Sequence, residues 1–454
     1  MALSVVILAA GRGTRMRSTV PKVLHKIGGR SLLEHVVDQA ISLGAEDIHV
    51  VYGHGGDIVP TSLSLLPVKW VYQSQQLGTG HAVDQAICDI PDENNVLVLY
   101  GDVPLTSEDT LTKLINTPSG NAIGVLTVNL DEPDGYGRIV RSESGDVVRI
   151  VEHRDAGDIE KAITEVNTGI LVAPKAMLNL WLKRLTNSNS QGEYYLTDVI
   201  ELAVGDGVAV RTASPTAPYE VLGVNDKAQL AYLERTYQRI YAQKLMIEGV
   251  SLSDPERIDV RGQLSCGLDV FIDVNAVFEG EVALGNNTRI GPNCLILNSS
   301  IGANVDVLSN TVIENASIGD NCRVGPFARI RPETSLDGNN HVGNFVEIKK
   351  AKIGFGSKIN HLSYIGDAIV GQNVNIGAGA ITCNYDGANK HLTEIGNDVF
   401  VGSDTQLVAP VKVGDGATIG AGSTITKDVV SETLTLSRSK QMTVKGWKRP
   451  QKNK

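Results

Sequence analysis

Aromatic residues, cysteines and long apolar runs are all scarce in this 454-residue chain. Phe, Trp and Tyr together make up 5% of it, and no apolar run approaches the ~18 residues that span a bilayer. The first ten residues lack the basic region and cleavage site of a signal peptide. The five cysteines are an odd number without a CxxC pair, which is typical of reduced thiols and not of disulfides or zinc ligands. We therefore expect a cytoplasmic protein with no membrane partner.

Basic residues are fewer than acidic ones, 41 against 51, so the net charge is -10. A general binder of nucleic acid or of anionic membranes carries a dense field of Lys and Arg. We therefore expect no nucleic-acid partner, and any phosphate site has to be local. The length and the 42% hydrophobic content predict more than one folded domain, and the 47 glycines indicate a repetitive or turn-rich part.

The first half of the chain alternates short apolar runs with amphipathic stretches. Between the first two runs, apolar residues recur at helical spacing after Ser31, with Glu34 completing a capping box and Gly44 as the stop. This rhythm is typical of βαβ units and predicts a parallel sheet flanked by helices, with ligands at the carboxyl ends of the strands. The apolar runs are 4–10, 47–53 and 95–102, and the helical positions are Leu32, Leu33, Val36, Val37, Ala40 and Ile41.

A second helical pattern, from Ala228 to about Glu248, predicts a helix that connects the two halves. It separates an N-terminal domain at 1–227 from a C-terminal domain at 249–454, with the linker helix at 228–248 between them. The side chains expected on its apolar side are Leu230, Leu233, Tyr237, Ile240, Tyr241 and Leu245.

After position 250 the chain repeats an aliphatic residue followed by glycine, and the same positions recur every 17 residues. Three hexapeptides then make one coil with three short faces, as in a β-helix whose inward aliphatic residues stack in columns. Glycine suits the corners, where a positive φ is costly for other residues. The segment CNYDGANKHLTE (383–394) interrupts the period and is expected to project as a loop. The columns run through 284, 301 and 318, through 290, 307 and 324, and through 296, 313 and 330, and they resume at 336, 353, 370, 395 and 413.

A glycine turn with two cations follows the first predicted strand. The strand leads into GRGTRM (11–16), and Arg15 and Lys22 add positive charge beside backbone amides that can face phosphates. A second strand ends in YGD, which puts Asp102 at the same carboxyl edge, where it could hold Mg²⁺ on a triphosphate. Either feature alone also fits a turn without a ligand or a simple cap.

Together these motifs resemble the sugar-1-phosphate nucleotidylyltransferases, with their signature LAAGxGTRM, PK and GD. The resemblance is closer still to the bifunctional bacterial members that join an N-acetylglucosamine-1-phosphate uridyltransferase to a glucosamine-1-phosphate acetyltransferase, and it covers nearly the whole chain. It implies an α/β fold with an N-terminal Rossmann-like nucleotidyltransferase domain, a connecting helix and a C-terminal left-handed parallel β-helix of hexapeptide repeats. The matching blocks are QQLGTGHA (75–82), YGDVPL (100–105), GYGRI (135–139), VEHRD (151–155), NTGI (167–170), GEYYLTD (192–198) and GVND (223–226).

The resemblance implies uridylyl transfer from UTP to N-acetylglucosamine-1-phosphate, with Mg²⁺ as cofactor and no covalent intermediate. Arg15 and Lys22 would act in catalysis by neutralising the triphosphate, and Asp102 and Asn225 would bind the metal. Gln73 and the GT turn would bind uracil. The residues implied in binding UTP and UDP-N-acetylglucosamine are Leu8, Ala9, Ala10, Gly11, Lys22, Gln73, Gly78, Thr79, Tyr100, Gly101, Asp102, Gly137, Glu152, Asn167 and Asn225.

The resemblance also implies that the β-helix transfers acetyl from acetyl-CoA to the amine of glucosamine-1-phosphate. This reaction needs a base, for which an unperturbed histidine is suited, and His361 in NHLSYIGD matches the base of the family. Glu347 is a further candidate for orienting the amine or the base. The implied contacts of glucosamine-1-phosphate are Arg331, Lys349, Tyr364, Asn375 and Lys390, and those of acetyl-CoA are Ala378, Asn384, Tyr385, Ser403, Ala421 and Arg438.

Some features and alternatives stay open at this point. Ile359 is bulkier than the Ala or Val expected two residues before the base, and we expect it to alter loop packing and not chemistry. The resemblance implies a homotrimer with shared acetyl sites, so the basic tail from Lys445 is either a solvated terminus or a cover for the CoA phosphates of a neighbouring subunit. The alternative functions are a single-activity nucleotidylyltransferase with a regulatory β-helix, a non-enzymatic module and a zinc hydratase. The last would need His341, His361 and His391 to converge, and they are not spaced by single coils.

Overall fold

The computed structural model describes residues 2–11, 13–118 and 122–452, and the chain divides into two compact units between Tyr237 and Gln238. The division falls inside one continuous helix, so the boundaries at 227 and 249 stay a prediction. Among the described residues, no helix combines the length and the apolarity needed to cross a membrane.

The N-terminal unit is a sheet with helices along it. In chain order its strands and helices, ending with the helix that continues into the second unit, are Leu3–Leu8 (β1), Lys26–Ile27 (β2), Arg30–Ser31 (β3), Leu32–Ser42 (α1), Asp47–Tyr52 (β4), Ile58–Ser62 (α2), Lys69–Tyr72 (β5), Thr79–Ile87 (α3), Asn95–Tyr100 (β6), Glu108–Asn116 (α4), Ile123–Asn129 (β7), Arg138–Arg141 (β8), Val147–Val151 (β9), Asp158–Lys161 (α5), Glu165–Pro174 (β10), Lys175–Leu182 (α6), Asp198–Gly205 (α7), Val210–Ala213 (β11) and Lys227–Ile247 (α8), with short 3₁₀ helices at Thr14–Met16, Lys22–Leu24 and Pro218–Val221.

The main sheet has the strand order β11-β7-β10-β6-β1-β4-β5, with the hairpin of β8 and β9 attached to β10. β1 pairs in parallel with β4 and β6, as predicted, so the carboxyl ends of these strands meet at one edge. β10 is antiparallel to both β6 and β7, and the prediction of a parallel sheet is wrong at this strand. Its apolar run at 170–173 is buried on both faces, so the sequence pattern does not indicate whether the strand is parallel or antiparallel.

The first long helix, α1, begins as the sequence predicts. The Ser31 hydroxyl accepts a hydrogen bond from the Glu34 backbone N–H (3.2 Å), and the Glu34 carboxylate accepts one from the Ser31 N–H (2.7 Å). Gly44 follows the helix in the left-handed region at φ +72°. Five of the six expected core positions are buried, but Ile41 is exposed, because it lies in the last turn at the edge of the buried face.

Helix α8 lies in the region predicted to be helical, but its buried face differs from the prediction. Leu233 and Leu245 are buried, whereas Ile240 is 40% exposed. The buried positions near it are instead Ala242 and Gln238. The Gln238 carboxamide both donates to and accepts from the Val260 backbone (2.8 Å each), so a polar residue fills the place where an apolar one was expected.

The C-terminal unit is a left-handed β-helix of short parallel strands. In chain order they are Ser251–Leu252 (β12), Ile258–Cys266 (β13), Phe271–Ile272 (β14), Ala276–Leu284 (β15), Arg289–Ile290 (β16), Leu295–Ile301 (β17), Asp306–Val307 (β18), Val312–Glu314 (β19), Ala316–Ile318 (β20), Arg323–Val324 (β21), Arg329–Ile330 (β22), Thr334–Leu336 (β23), His341–Asn344 (β24), Glu347–Ile353 (β25), Lys358–His361 (β26), Tyr364–Val370 (β27), Asn375–Ile376 (β28), Ile381–Cys383 (β29), Thr393–Ile395 (β30), Phe400–Val401 (β31), Gln406–Val408 (β32), Val411–Val413 (β33), Thr418–Ile419 (β34), Thr424–Ile425 (β35) and Leu434–Thr435 (β36), with a 3₁₀ turn at Pro255–Arg257.

These strands form three ladders, which confirms the three-faced coil. One ladder runs from β12 through β24, β26 and β28 to β36, and we call it face A. The second ladder, face B, includes β19, β22, β29 and β35. The third ladder, face C, includes β20, β23, β30 and β33. The long strands β25 and β27 bend around the corner between faces B and C and pair on both. The predicted columns are observed as register partners on these faces, for example Leu284 with Ile301 and Val307 with Val324.

Glycine and asparagine share the turns of the coil in a way that differs from the prediction. The glycine after each aliphatic residue is mostly not at positive φ; at Gly285 a Cβ would lie 2.5 Å from the backbone carbon of Gly302 in the next coil. These glycines are therefore required by close approach of coils. The left-handed corner positions are held mainly by asparagines, such as Asn304 and Asn321, whose side chains bond along the stack (3.3 Å).

Two predictions about interruptions have different outcomes. The ladder steps directly from Val370 to Ile395 across the segment 383–394, most of which projects from the coil as predicted. Ile359 is fully buried in the column between Val342 and Ile376. It therefore packs in the core of the coil, and the expectation that it alters loop packing is wrong.

Candidate active sites

A cavity of about 520 Å³ opens at the carboxyl ends of β1 and β6 in the N-terminal unit. Most of the residues that the sequence assigned to the nucleotide line it, whereas Gly101 supports the floor through its N–H to the Leu8 carbonyl (3.0 Å). Gln76 and Glu193 also line it and were not predicted. The predicted residues on its wall are Leu8, Ala9, Ala10, Gly11, Lys22, Gln73, Gly78, Thr79, Tyr100 and Asp102.

The two predicted cations meet the two predicted metal ligands at one end of this site. Lys22 forms an ion pair with Asp102, and the Arg15 guanidinium donates to the Asn225 side-chain oxygen (2.9 Å). The N–H of Val224 donates to the Asp102 carbonyl (2.9 Å), which holds Asn225 beside the strand end. A carboxylate and an amide oxygen at a sheet edge fit Mg²⁺, which takes few protein ligands and shares the rest with phosphates and water.

The opposite end of the cavity is shaped by buried polar groups. Gln73 is 2% exposed, and Gly78 has φ +115° immediately before helix α3. A Cβ at Gly78 would lie 2.5 Å from the Tyr194 carbonyl, so only glycine fits there. The Thr79 hydroxyl accepts the Leu196 N–H (3.0 Å), which ties this turn to the segment 192–198.

The three residues assigned to the sugar lie close together, with Gly137 directly before β8, Glu152 directly after β9 and Asn167 within β10. The Asn167 N–H donates to the Gly137 carbonyl (2.8 Å), and a Cβ at Gly137 would sit 3.6 Å from both carboxylate oxygens of Glu152. Burial raises the pKa of Glu152, while a hydrogen bond from the Thr197 hydroxyl (3.0 Å) opposes the rise. Thr197 was not predicted, because nothing in the sequence pairs it with a carboxylate 45 positions away.

The predicted base lies at the corner between faces A and B. His361 is opposite Asn344 in the next coil, and its Nδ1 is 3.2 Å from the Asn344 side-chain oxygen. The register of Ile359 with Ile376, Val401 and Ile419 puts the residues two positions later at this same corner in successive coils. Coils repeat at about 4.8 Å, so these residues form one line along the stack. They are His361, Ala378, Ser403 and Ala421.

Three cations lie together on and beside face B. Arg331 and Lys349 lie in adjacent coils, each directly after a residue that pairs between β22 and β25. Arg331 forms an ion pair with Glu347 (2.7 Å). The neighbouring ammonium of Lys390 lowers the pKa of Lys349. Two like charges brought this close, with a third cation near, make a local site for an anion.

The remaining predicted side chains divide between this face and its surroundings. Tyr364 lies beside Asn384 (3.4 Å), and Asn384 donates to the buried Asp367. Asn375 lies on face A, paired with Lys358, and so on the other side of the corner from the cations. Tyr385 pairs with Lys390 across the base of the projecting loop.

The projecting loop is held by one carboxylate. Backbone N–H groups of Asn389 and Ala388 and the His391 ring all bond to Asp386, which lowers the pKa of that carboxyl well below its usual range. Farther along the stack, Arg438 donates to the Ala421 carbonyl (2.6 Å). Among the described residues, no group of three or more His, Cys, Asp or Glu side chains converges on a point that could hold a metal ion.

Comparison with known proteins matches both units. The description "MobA-like NTP transferase domain" fits residues 5–163, and "Bacterial transferase hexapeptide (six repeats)" fits residues 392–427. A protein of Marinobacter nauticus named bifunctional protein GlmU is 58% identical over 450 residues, 99% of each chain. Two solved structures resemble part of the chain at 21% identity. A nucleotidyl transferase from Methanothermobacter thermautotroptrophicus covers 53% of this chain and 99% of its own, with a TM-score of 0.40, and an inositol-1-phosphate CTP transferase from T. maritima covers 51% and 93%, with a TM-score of 0.41.

Proposed function

This chain belongs to the GlmU family of bifunctional enzymes, and from that premise we propose how its two units divide the work. The C-terminal β-helix transfers acetyl from acetyl-CoA to glucosamine-1-phosphate. The N-terminal unit then transfers uridylyl from UTP to N-acetylglucosamine-1-phosphate and releases pyrophosphate, which yields UDP-N-acetylglucosamine. The observation that carries this function is the match over 99% of the chain, because it includes both units at 58% identity.

The N-terminal site supports uridylyl transfer by in-line displacement. A phosphate oxygen of the sugar phosphate attacks the α-phosphorus of UTP, and the bond from that phosphorus to the pyrophosphate oxygen breaks. Arg15 and Lys22 neutralise the triphosphate and the departing pyrophosphate, while Glu152 and Asn167 orient the sugar. Asp102 and Asn225 would hold Mg²⁺, which supplies further charge neutralisation at the phosphates. Lys22 and Arg15 pair with those two residues, so both cations stand beside the place where the phosphates and the metal would meet.

The corner site supports acetyl transfer with His361 as base. With Nδ1 donating to Asn344, the lone pair of Nε2 is available to take a proton from the amine as its nitrogen attacks the thioester carbon. The carbon–sulfur bond then breaks, and the proton taken up by Nε2 passes to the sulfur, so CoA leaves as the thiol and the base is regenerated. The cations Arg331, Lys349 and Lys390 bind the sugar phosphate, and the line of Ala378, Ser403 and Ala421, with Asn384, Tyr385 and Arg438, offers an extended track for CoA.

We also infer that the protein acts as a homotrimer in the cytoplasm. Phe327, Phe345 and Leu362 stand at the corner of faces A and B in successive coils and are 49%, 56% and 65% exposed. Leu362 is next to His361, so a second subunit that covers this apolar line would also border the acetyl site. All five cysteines are free thiols, as expected for a protein kept in a reducing compartment.

One assay tests both halves of this function. Purified protein is incubated with glucosamine-1-phosphate, acetyl-CoA, UTP and Mg²⁺, and thiol, pyrophosphate and UDP-N-acetylglucosamine are followed separately. We expect all three, with pyrophosphate release depending on prior acetylation when only the unacetylated sugar is given. Pyrophosphate formation from N-acetylglucosamine-1-phosphate without any CoA-dependent thiol release would instead identify the β-helix as regulatory.

A further inference from the structure

Asp367 is a buried carboxylate of the β-helix beside the acetyl site. It stands at the corner between faces B and C with φ +47°, where earlier coils place Asn298 and Asn315 at φ +43° and +47°. Aspartate and asparagine have almost the same shape and both tolerate this left-handed backbone, so the corner itself does not require a charge. A carboxylate that is only 8% exposed is costly unless hydrogen bonds satisfy it.

Asp367 fixes the direction of two hydrogen bonds. Asn384 is also 8% exposed, and its Nδ2 donates one hydrogen to the Asp367 carboxylate and the other to the Tyr364 hydroxyl oxygen (3.4 Å). A carboxylate only accepts hydrogen bonds, so the reversed amide, with its oxygen against Asp367, is excluded. Since a phenol carries one hydrogen, Tyr364 accepts from Asn384 and keeps its own hydrogen to donate.

The Tyr364 hydroxyl lies where it can donate that hydrogen to a phosphate. The hydroxyl lies over Gly366, at which a Cβ would collide with its oxygen. Gly366 pairs with Lys349 in the adjacent coil, so the hydroxyl lies in the coil next to this cation. We infer that Asp367 is a positioning residue that, through Asn384, keeps the Tyr364 hydroxyl a donor to the phosphate of the amino sugar. The inference rests on the proposed function, because it requires the sugar phosphate to bind at these cations.

Asp367→Asn keeps the shape of the side chain and the corner backbone, but its amide can donate as well as accept. It can donate to the oxygen of a reversed Asn384 carboxamide, which then also accepts the Tyr364 hydrogen. We expect KM for glucosamine-1-phosphate to rise about tenfold, with kcat changed by less than about twofold, in thiol release at saturating acetyl-CoA. The matched control is Asp398→Asn, at an exposed left-handed position of the coil (φ +57°), which should leave KM unchanged.

Tyr364→Phe tests whether the two residues act as one unit. It removes the hydrogen that Asp367 directs, so it should itself raise KM for glucosamine-1-phosphate at least about tenfold. Adding Asp367→Asn to Tyr364→Phe should then change KM by less than about twofold. Effects that multiply in the double variant would overturn the inference, because Asp367 would then act independently of Tyr364. Thermal melting checks that each variant is folded.

A role of Asp367 as a charge alone gives the opposite expectation. If the carboxylate acted only on Lys349 and Lys390, its removal would strengthen phosphate binding and lower KM, and this result would overturn the inference. An unchanged KM in Asp367→Asn, together with a raised KM in Tyr364→Phe, would also overturn it and leave the proposed function standing. If Tyr364→Phe leaves KM unchanged as well, the sugar phosphate does not bind at this hydroxyl, and the proposed use of the site is wrong too.

Discussion

At the phosphate end of the nucleotide cavity, single residues are already arranged as pairs of opposite charge. Removing Asp102 takes away both the partner of Lys22 and a proposed metal ligand. We expect Asp102→Ala to lower uridylyl transfer by at least about 1,000-fold, because two groups that stabilise charge in the transition state are disturbed together. Acetyl transfer should stay within about twofold. Pyrophosphate and thiol release from the same preparation measure this.

The control for this change is Asp109→Ala, an exposed carboxylate in the first turn of α4. It should leave both reactions near their normal rates. Equal loss of both activities in Asp102→Ala would contradict two separate sites.

The role of His361 as the base of acetyl transfer is tested by a substitution that should impair acetyl transfer and leave uridylyl transfer intact. His361→Ala should reduce thiol release from acetyl-CoA by roughly 100-fold or more and leave pyrophosphate release unchanged. His341→Ala is the matched control, since His341 is also an exposed histidine on face A. Near-normal acetylation by His361→Ala at every pH would remove this residue from the role.

Some residues of the two sites were predictable from the sequence, and others were not. The cavity wall is formed largely by residues of the motifs, because the residues of a turn such as Gly78 and Thr79 are adjacent in sequence. Asn344, the partner of His361, was missed although a signal existed: the two residues are 17 positions apart, which is one coil. Thr197, which bonds to Glu152, had no such signal, because the contact depends on how α7 packs near β9.

At the scale of elements, helix α8 shows how an apolar pattern can mislead. The pattern put Ile240 on the buried side, whereas the structure buries Gln238 against the backbone of Val260. An amphipathic pattern cannot reveal a polar side chain that is satisfied by backbone groups of another element. The direction of β10 could not be predicted for a related reason. A buried apolar run has the same pattern in a parallel and in an antiparallel strand.

Gln238→Leu should therefore destabilise the protein although leucine is apolar. It leaves the Val260 N–H and carbonyl without the carboxamide, and each buried unpaired group costs about 1–3 kcal/mol. We expect a loss of about 2–4 kcal/mol in the free energy of unfolding, measured by denaturant titration. Gln243→Leu, an exposed position on the same helix, is the control and should change stability by less than about 0.5 kcal/mol. A stabilised Gln238→Leu protein would show that the hydrogen bonds contribute nothing net.

At the scale of the whole molecule, the proposed homotrimer is tested by a substitution in the exposed apolar line. Phe345→Glu puts a charge in the middle of Phe327, Phe345 and Leu362 and should convert the proposed trimer into monomers, because a buried unpaired carboxylate is costly. Acetyl transfer should fall at least tenfold with assembly, while uridylyl transfer continues. Sedimentation velocity and the two assays measure this. Leu268→Glu, at an exposed position outside this line, is the control and should stay assembled. A trimeric, fully active Phe345→Glu protein would place the subunit contact elsewhere.

The architecture of the β-helix was predictable because the same positions recur every 17 residues. This period predicts both the three faces and the columns of stacked residues. The same stack also explains the inserted segment. Val370 pairs with Ile395 as if the residues between were absent, and Ile381 pairs onward with Gln406. The coils that hold the fold are thus separate from the hairpin that carries Tyr385 and Lys390. Mutations in that hairpin can accumulate without loss of the scaffold, so evolution or a designer can lengthen, shorten or exchange it and retune substrate preference one insertion at a time.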